Sequence, residues 1–378
     1  MARDLVLDAL PMLLRAGIAE YVRGLARGLA AARAGRWNLE FFFRLAFSSE
    51  RGRAYRACRA ESWPGCVRFR TSRLPDRWIA RLWEAGLSVP GRRADRAPAV
   101  FLATTDLVPR GPRVGWVVYD LTPLMVPRFF NGSPERFLEA CRRRAARADF
   151  IVAISEATRR DVIERLGYPE SRITVVYPGA AAASTPERLA GDAAVPTPAR
   201  PYVCYVGGLA LNKNVDGLLR VFARVVREHG LDLDLVLIGK DFQPPGYWAS
   251  LVRSLGVADR VRFTGWVSDA ERLAMMRRTV MLWQFSWYEG FGLPVLEAAA
   301  QGVPVLVSNR GALPEILRAS EQEMDPDDEP AAAARAAAAL SNPAALEAWS
   351  RRGRERAAAF SWKRSAASFL DWLETLQP

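Results

Sequence analysis

Glu289 and Glu297 stand eight positions apart in the stretch WYEGFGLPVLEAAAQG, residues 287–302. Two nearby carboxylates invite acid–base chemistry, one giving a proton and one taking it. The residues between them suggest a different task. TVMLWQFS, residues 279–286, reads as a buried strand. Gly290-Phe291-Gly292-Leu293 reads as a glycine loop, with Pro294 suited to a first helical turn and Gly302 to a helix stop. Strand, glycine loop and helix N-terminus in that order form a phosphate cradle. Amides near Gly292 and Leu293 point outward, and the helix dipole adds partial positive charge. Gly290 and Gly292 let a ligand approach the backbone closely. Glu297, expected in the first turn, would repel phosphate, so a pair of ribose hydroxyls is its natural partner. Glu289, at the loop entrance, is placed to hold sugar hydroxyls beyond a diphosphate. The plainer alternative is a Glu297 that only favours the helix dipole and a solvated Glu289.

Other reactive residue types are sparse. The only histidine, His229, lies in VVREHG and reads as a surface residue at a helix end. Cys58, Cys66, Cys141 and Cys204 are scattered, with no CxxC pair. A Cys/His metal site is therefore not expected, and free thiols fit a reducing cytoplasm. Asp232-Leu233-Asp234 has the spacing of a metal-binding Asp-x-Asp, but lies between a helix end and a buried strand and reads as a turn.

The elements that must position these residues alternate strand and helix along all 378 residues, too long a chain for one core. DLVLDAL, NLEFFFRLAF, AVFLATT, VGWVVYDL, DFIVAISE and ITVVYPG read as strands in the first half. Their apolar residues run continuously, as in parallel strands buried on both faces. The pattern restarts at PYVCYVGG. The expected domains are 1–185, a linker over 186–199, 200–360, and a closing amphipathic helix over 361–378 that returns to the first domain. Two Rossmann-like doubly wound sheets would face each other across a cleft. The N-terminal apolar stretch is broken by Asp8 and Pro11, and no run reaches membrane-spanning length. Net charge is +12, which attracts anions; arginine-rich genomic composition explains it equally well. Arg51–Arg96 interleaves arginines with Tyr55, Trp63, Phe69, Trp78 and Trp83. That mixture suits an anionic membrane surface, a phosphorylated acceptor or RNA stacking, or else a solvated helical hairpin with its aromatics in the core.

EGFGLPVLE resembles the E-x7-E motif of the retaining family-4 glycosyltransferases, which have the GT-B fold. The resemblance covers nearly the whole chain and includes VVYDLTPLMVPRFF, DFIVAISEATRRDVIERLGYPESRITVVYPG, YVCYVGGLALNKNVDGLL and RVRFTGWVSDAERL. It implies that Gly17, Gly207 and Gly208 bring backbone against a donor diphosphate and that Lys213 neutralises it without a metal. Trp266 and Val267 would line the base. Glu289 would orient the transferred sugar, Gly292 and Leu293 would hold the phosphates and Glu297 the ribose, with Gly290 and Phe291 completing the donor-binding loop. Tyr119 and Asp120 stand where the family has His-Asp, which completes a catalytic set of Glu289, Lys213, Tyr119 and Asp120. The sequence departs from the family at Ala16-Gly17 in place of Gly-Gly, at Asn212-Lys213 in place of Arg-Lys, at Gly208 and at Tyr119. A tyrosine cannot serve as base near neutral pH without a large pKa shift, but it can donate a hydrogen bond to sugar or phosphate.

The expected activity is metal-independent, retaining hexosyl transfer, with mannose from GDP-mannose as the first donor. The acceptor would be a saccharide or lipid-linked saccharide of bacterial surface polysaccharide synthesis, met in the cytoplasm or on the inner membrane face. No cofactor and no nucleic-acid partner are expected. The alternative is a non-catalytic nucleotide-sugar or saccharide-binding partner of a glycosyltransferase complex, motivated by Tyr119 and the reduced charge of the phosphate site.

Overall fold

Continuous apolar runs become parallel strands because a doubly wound sheet hides both faces under helices. A computed structural model of the chain describes residues 3–13, 17–32, 35–46, 48–63, 67–84, 100–109, 113–180 and 198–376. Two compact units result. The first comprises Met1–Leu124, Phe130–Gly179 and Phe360–Pro378; the second comprises Met125–Phe129 and Ala180–Ala359. The linker expected over 186–199 lies outside the described residues up to 197, as do Ala16 and Cys66.

The first unit holds β1 (Arg3–Asp8), β2 (Trp37–Arg44), β3 (Arg68–Ser72), β4 (Val100–Ala103), β5 (Val114–Val118), β6 (Phe150–Ala153) and β7 (Ile173–Val175). They form one sheet in the order β3-β2-β1-β4-β5-β6-β7, and all pairs are parallel. The second unit holds β8 (Tyr202–Val206), β9 (Asp234–Ile238), β10 (Val261–Gly265), β11 (Met281–Gln284), β12 (Val305–Ser308) and β13 (Glu323–Met324). Their order is β10-β9-β8-β11-β12-β13. In each unit the direction of winding reverses beside the first strand, and ligands of such sheets bind at that reversal, beyond the strands' carboxyl ends.

The Arg51–Arg96 stretch is not a helical hairpin in its described part. Helix Ser49–Ala60, strand β3 and helix Asp76–Glu84 follow one another. β3 is an edge strand whose arginines are ion-paired: exposed Arg68 with Asp4, and half-buried Arg70 with buried Glu40. Phe69 stacks on Phe43 and meets Phe41 edge-on, and Tyr55 and Trp63 join the same cluster. Three of the five aromatics are thus half-buried against the core residues Phe41 and Phe43. Trp78 stays exposed. Residues 85–99 and the side chain of Trp83 lie outside the description.

The closing helix Trp362–Thr375 packs on helix Gly17–Ala32 of the first unit. Glycines make the contact close. A Cβ at Gly28 would lie 2.4 Å from the Trp362 carbonyl oxygen, and one at Gly24 would lie 2.1 Å from its ring. Tyr21 meets the Trp362 ring edge-on, and Arg36 bonds Asp371 and Glu374.

Glycine-to-alanine changes in two helices of this unit should therefore have opposite signs. Ordinarily the change favours a helix by about 1 kcal/mol. Gly52→Ala, whose new methyl would meet only the Arg56 guanidinium at 3.8 Å, should raise the thermal midpoint slightly. Gly28→Ala should lower it, because overpacking costs about 1–3 kcal/mol. Differential scanning calorimetry reads both.

Candidate functional site

β8 and β11 flank the winding reversal of the second unit and pair in parallel, Met281 against Val203 and Leu282 against Cys204. Two bonds tie the loops that follow them. Trp287 N donates to Asn212 O at 3.3 Å, and Asn214 Nδ2 donates to Phe285 O at 3.0 Å. Residues 213 and 289 are thereby brought together although 76 positions separate them.

Glu289 is held on both oxygens. Lys213 Nζ donates to Oε2 at 2.8 Å. Ser286 Oγ and Gln284 Nε2 donate to Oε1 at 2.8 and 3.1 Å. Its own carbonyl accepts from Ala312 N at 3.0 Å, and a Cβ on Gly311 would strike that same carbonyl at 2.5 Å. Glu289 is therefore a fixed carboxylate and not a solvated one. Charge-assisted bonds of this kind are the stronger class.

Beyond Glu289 the loop turns through Gly292, in left-handed backbone at φ 106°, which caps helix Leu293–Ala300 with Pro294 in its first turn. Glycine is favoured there because that φ is one L side chains rarely adopt, and a Cβ would also press on the Leu313 side chain. The helix stops as expected: Gly302 N donates to Ala299 O and Val303 N to Ala298 O, a Schellman pair. Phe291 is buried and contributes only backbone to the loop surface. Glu297 lies one turn further in than expected, since the helix begins at Leu293 and its first turn carries no acidic residue. It also does more than favour the dipole: Arg272, from helix Asp269–Arg278, grips both of its carboxylate oxygens.

Gly207, Gly208 and Trp266 line the same carboxyl edge of the sheet. Gly207 N bonds Ile238 O, and Gly239 N bonds Gly265 O. A Cβ at Gly239 would lie 1.8 Å from Gly207 O, so the ends of β8 and β9 touch backbone to backbone. Phe242 lies over Gly208. Trp266 is 65% exposed at the end of β10, with Val267 half-buried beside it.

These features match a known family. Residues 15–183 match the profile described as Glycosyltransferase Family 4, and residues 194–356 match Glycosyl transferases group 1. The chain belongs to the family-4 glycosyltransferases. O-antigen chain mannosyltransferase B of Escherichia coli is 27% identical over 252 residues, covering 65% of this chain and 66% of that protein. D-inositol 3-phosphate glycosyltransferase of Salinispora tropica is 31% identical over 245 residues, covering 60% and 51%. The matched stretch thus spans less than two thirds of either relative's length. Sucrose-phosphate synthase of Thermosynechococcus elongatus shares the GT-B fold, with a TM-score of 0.73 at 21% identity over 98% of each chain.

Gly17, Tyr119 and Asp120 belong to the first unit. Gly17 opens helix Gly17–Ala32 and is exposed, with open space where a Cβ would be. Asp120 is exposed and accepts from Thr122 N at 2.9 Å, a local turn bond. Tyr119 departs from expectation. Its hydroxyl donates inward to Thr104 O at 3.0 Å, and Tyr21 meets its ring edge-on. Burial pushes its pKa well above the usual tyrosine value, and neighbouring Tyr21 and Asp8 push the same way. It stays protonated at neutral pH, with its donor committed to its own unit.

Asp232 and Asp234 share Arg200, and Asp232 also bonds Arg260. Both carboxylates are thus engaged by arginines. Among the described residues no group of three or more His, Cys, Asp or Glu side chains gathers as metal ligands, and no helix is long and apolar enough to cross a membrane. His229 is exposed. Sequence reasoning missed Gln284, Ser286, Gly239 and Arg272. Gln284 was hidden inside a strand read as buried, and Arg272 inside a stretch noted only for its family resemblance.

If Ser286 and Gln284 fix Glu289, each should matter to transfer. A hydrogen bond to a charged group contributes about 1.5–3 kcal/mol. Ser286→Ala and Gln284→Leu should each lower kcat by about tenfold or more, and should also lower the thermal midpoint by a few degrees while leaving the protein folded at the assay temperature. Steady-state kinetics with calorimetry on the same preparations test this.

Proposed function

We propose that this chain transfers a hexosyl group from a nucleotide sugar to a saccharide or lipid-linked saccharide, with retention and without a metal. The observation that carries the proposal is the Glu289 carboxylate, immobilised by Lys213, Ser286 and Gln284 three residues before the Gly292 helix cap. A decayed binding protein has no need of a carboxylate fixed on both oxygens.

In this reaction the donor diphosphate lies against the N-terminus of helix Leu293–Ala300, whose amides and dipole favour negative charge. The bond between the anomeric carbon and the β-phosphate oxygen breaks. Lys213 and the helix terminus stabilise the charge that develops on the leaving diphosphate. An ammonium has three donors, so Lys213 can bond Glu289 and phosphate together. Glu289 accepts from hydroxyls of the departing sugar and fixes its orientation. The acceptor hydroxyl attacks from the face the diphosphate leaves, and its proton passes to the leaving-group oxygen. No histidine and no ionised tyrosine are needed. A double displacement of the glycosidase kind would require a carboxylate nucleophile beside the anomeric carbon. Glu297 is unsuited, lying in the second turn of helix Leu293–Ala300, past the loop that carries Glu289, and paired to Arg272.

Mannose from GDP-mannose is the first donor to test, by analogy with the E. coli mannosyltransferase. The inositol-phosphate relative keeps the acceptor class broad. Bacterial surface polysaccharide is the proposed product, made in the cytoplasm with peripheral contact to an anionic membrane face. The basic first unit supports that contact, with Arg77 and Trp78 exposed on helix Asp76–Glu84.

A thermal-shift panel of GDP-, UDP-, ADP- and dTDP-sugars tests the proposal, since a site ligand at 100 times its Kd stabilises by about 2.7 kcal/mol. One base should raise the midpoint by several degrees, and Glu297→Ala should clearly reduce that shift. Incubation with the preferred donor and saccharide acceptors should then release nucleoside diphosphate. Binding without release under any of these conditions would favour the non-catalytic partner instead.

A further inference from the structure

Both oxygens of Glu297 are already engaged, and the partner comes from an element that begins beside the exposed tryptophan. Arg272 Nη2 donates to Oε1 at 3.1 Å, and Nη1 donates to Oε2. The two side chains are 17% and 8% exposed. Arg272 stands in the first turn of helix Asp269–Arg278, anchored by a reciprocal capping box between Ser268 and Glu271. That cap follows Trp266 and Val267 directly. Arg272 Nη2 also reaches Asp269 Oδ1 at 3.4 Å, back toward the cap. The Arg272–Glu297 pair therefore stands within one helical turn of the segment that carries Trp266.

We infer that Arg272 is the positioning residue for the nucleotide's ribose, acting through Glu297. This rests on Glu297 meeting the ribose, as proposed above. A carboxylate offers about four lone-pair sites on its two oxygens, and a guanidinium fork takes one on each in a fixed plane. The carboxylate can then no longer spin about its last torsion. The second lone pair on each oxygen keeps a set direction, and two neighbouring hydroxyls on one sugar ring need two such acceptors at fixed spacing. A lysine at 272 would supply charge without this plane. The same guanidinium ties the base-side turn to the ribose-side carboxylate, so recognition of base and sugar is mechanically joined.

The test compares dissociation constants by calorimetry for the nucleoside diphosphate preferred in the panel and for its 2′-deoxy counterpart. Wild type, Arg272→Met, Arg272→Lys, Glu297→Ala and the Met/Ala double variant are measured on the full chain. Wild type should favour the ribo form by about tenfold, one hydrogen bond to a charged group. Arg272→Met should lose most of that preference, and Arg272→Lys an intermediate part. The deoxy affinity should change less than threefold in both. The double variant should discriminate no worse than Glu297→Ala. Full discrimination in both Arg272 variants, with Glu297→Ala having lost it, would make the Arg272 pair purely structural and overturn the inference. Full discrimination in Glu297→Ala would instead remove the ribose assignment itself, and the inference with it. If Arg272→Met fails to fold, Arg272→Lys alone decides: intact discrimination overturns the inference, and a partial loss supports it.

Discussion

The parallel pairing of β8 with β11 is the constraint on which the candidate site depends. These two strands are far apart in sequence and adjacent only because the sheet reverses its winding between them. Their carboxyl ends deliver Lys213 and Glu289 to within 2.8 Å. The cross-loop bonds through Asn212 and Asn214 hold that spacing. Ser308, at the end of neighbouring β12, bonds the Ser286 carbonyl at 2.6 Å and so buttresses one of the donors to Glu289. A slip in the β8–β11 register would move both charged groups at once.

The site carries its charges as pairs. Lys213 with Glu289 and Arg272 with Glu297 are each less than a third exposed. Partly buried pairs cost desolvation, and their geometry is stiff in return. Stiffness is what a transition state asks of its surroundings, because dipoles and charges already in place need not reorganise as charge moves.

Much of this was legible before any coordinates. Every long apolar run became a strand, and the Gly292–Gly302 punctuation marked its helix to within a residue, because backbone conformations that exclude side chains leave a direct trace in sequence. β3 was not legible. Its alternating arginines look solvated, and only pairing to β2 and the Phe41–Phe43 cluster explains why an Arg-rich segment extends. Tyr119 could be seen as an exception, but its commitment to Thr104 depends on β4 lying beside β5. Arg272 and Glu297 lie 25 positions apart on different helices, and no local pattern reports such a meeting. Local propensity was readable; contacts that depend on sheet order were not.

The return of helix Trp362–Thr375 to the first unit has a consequence for biosynthesis. Residues 180–359 of the second unit are nearly contiguous, so that unit can close as it leaves the ribosome. The first unit cannot. The glycine-lined groove of helix Gly17–Ala32 stays uncovered until Trp362 and the residues after it emerge. Domains that fold during synthesis usually do so from the N-terminus onward, and here the order is inverted. The unit translated first is completed last.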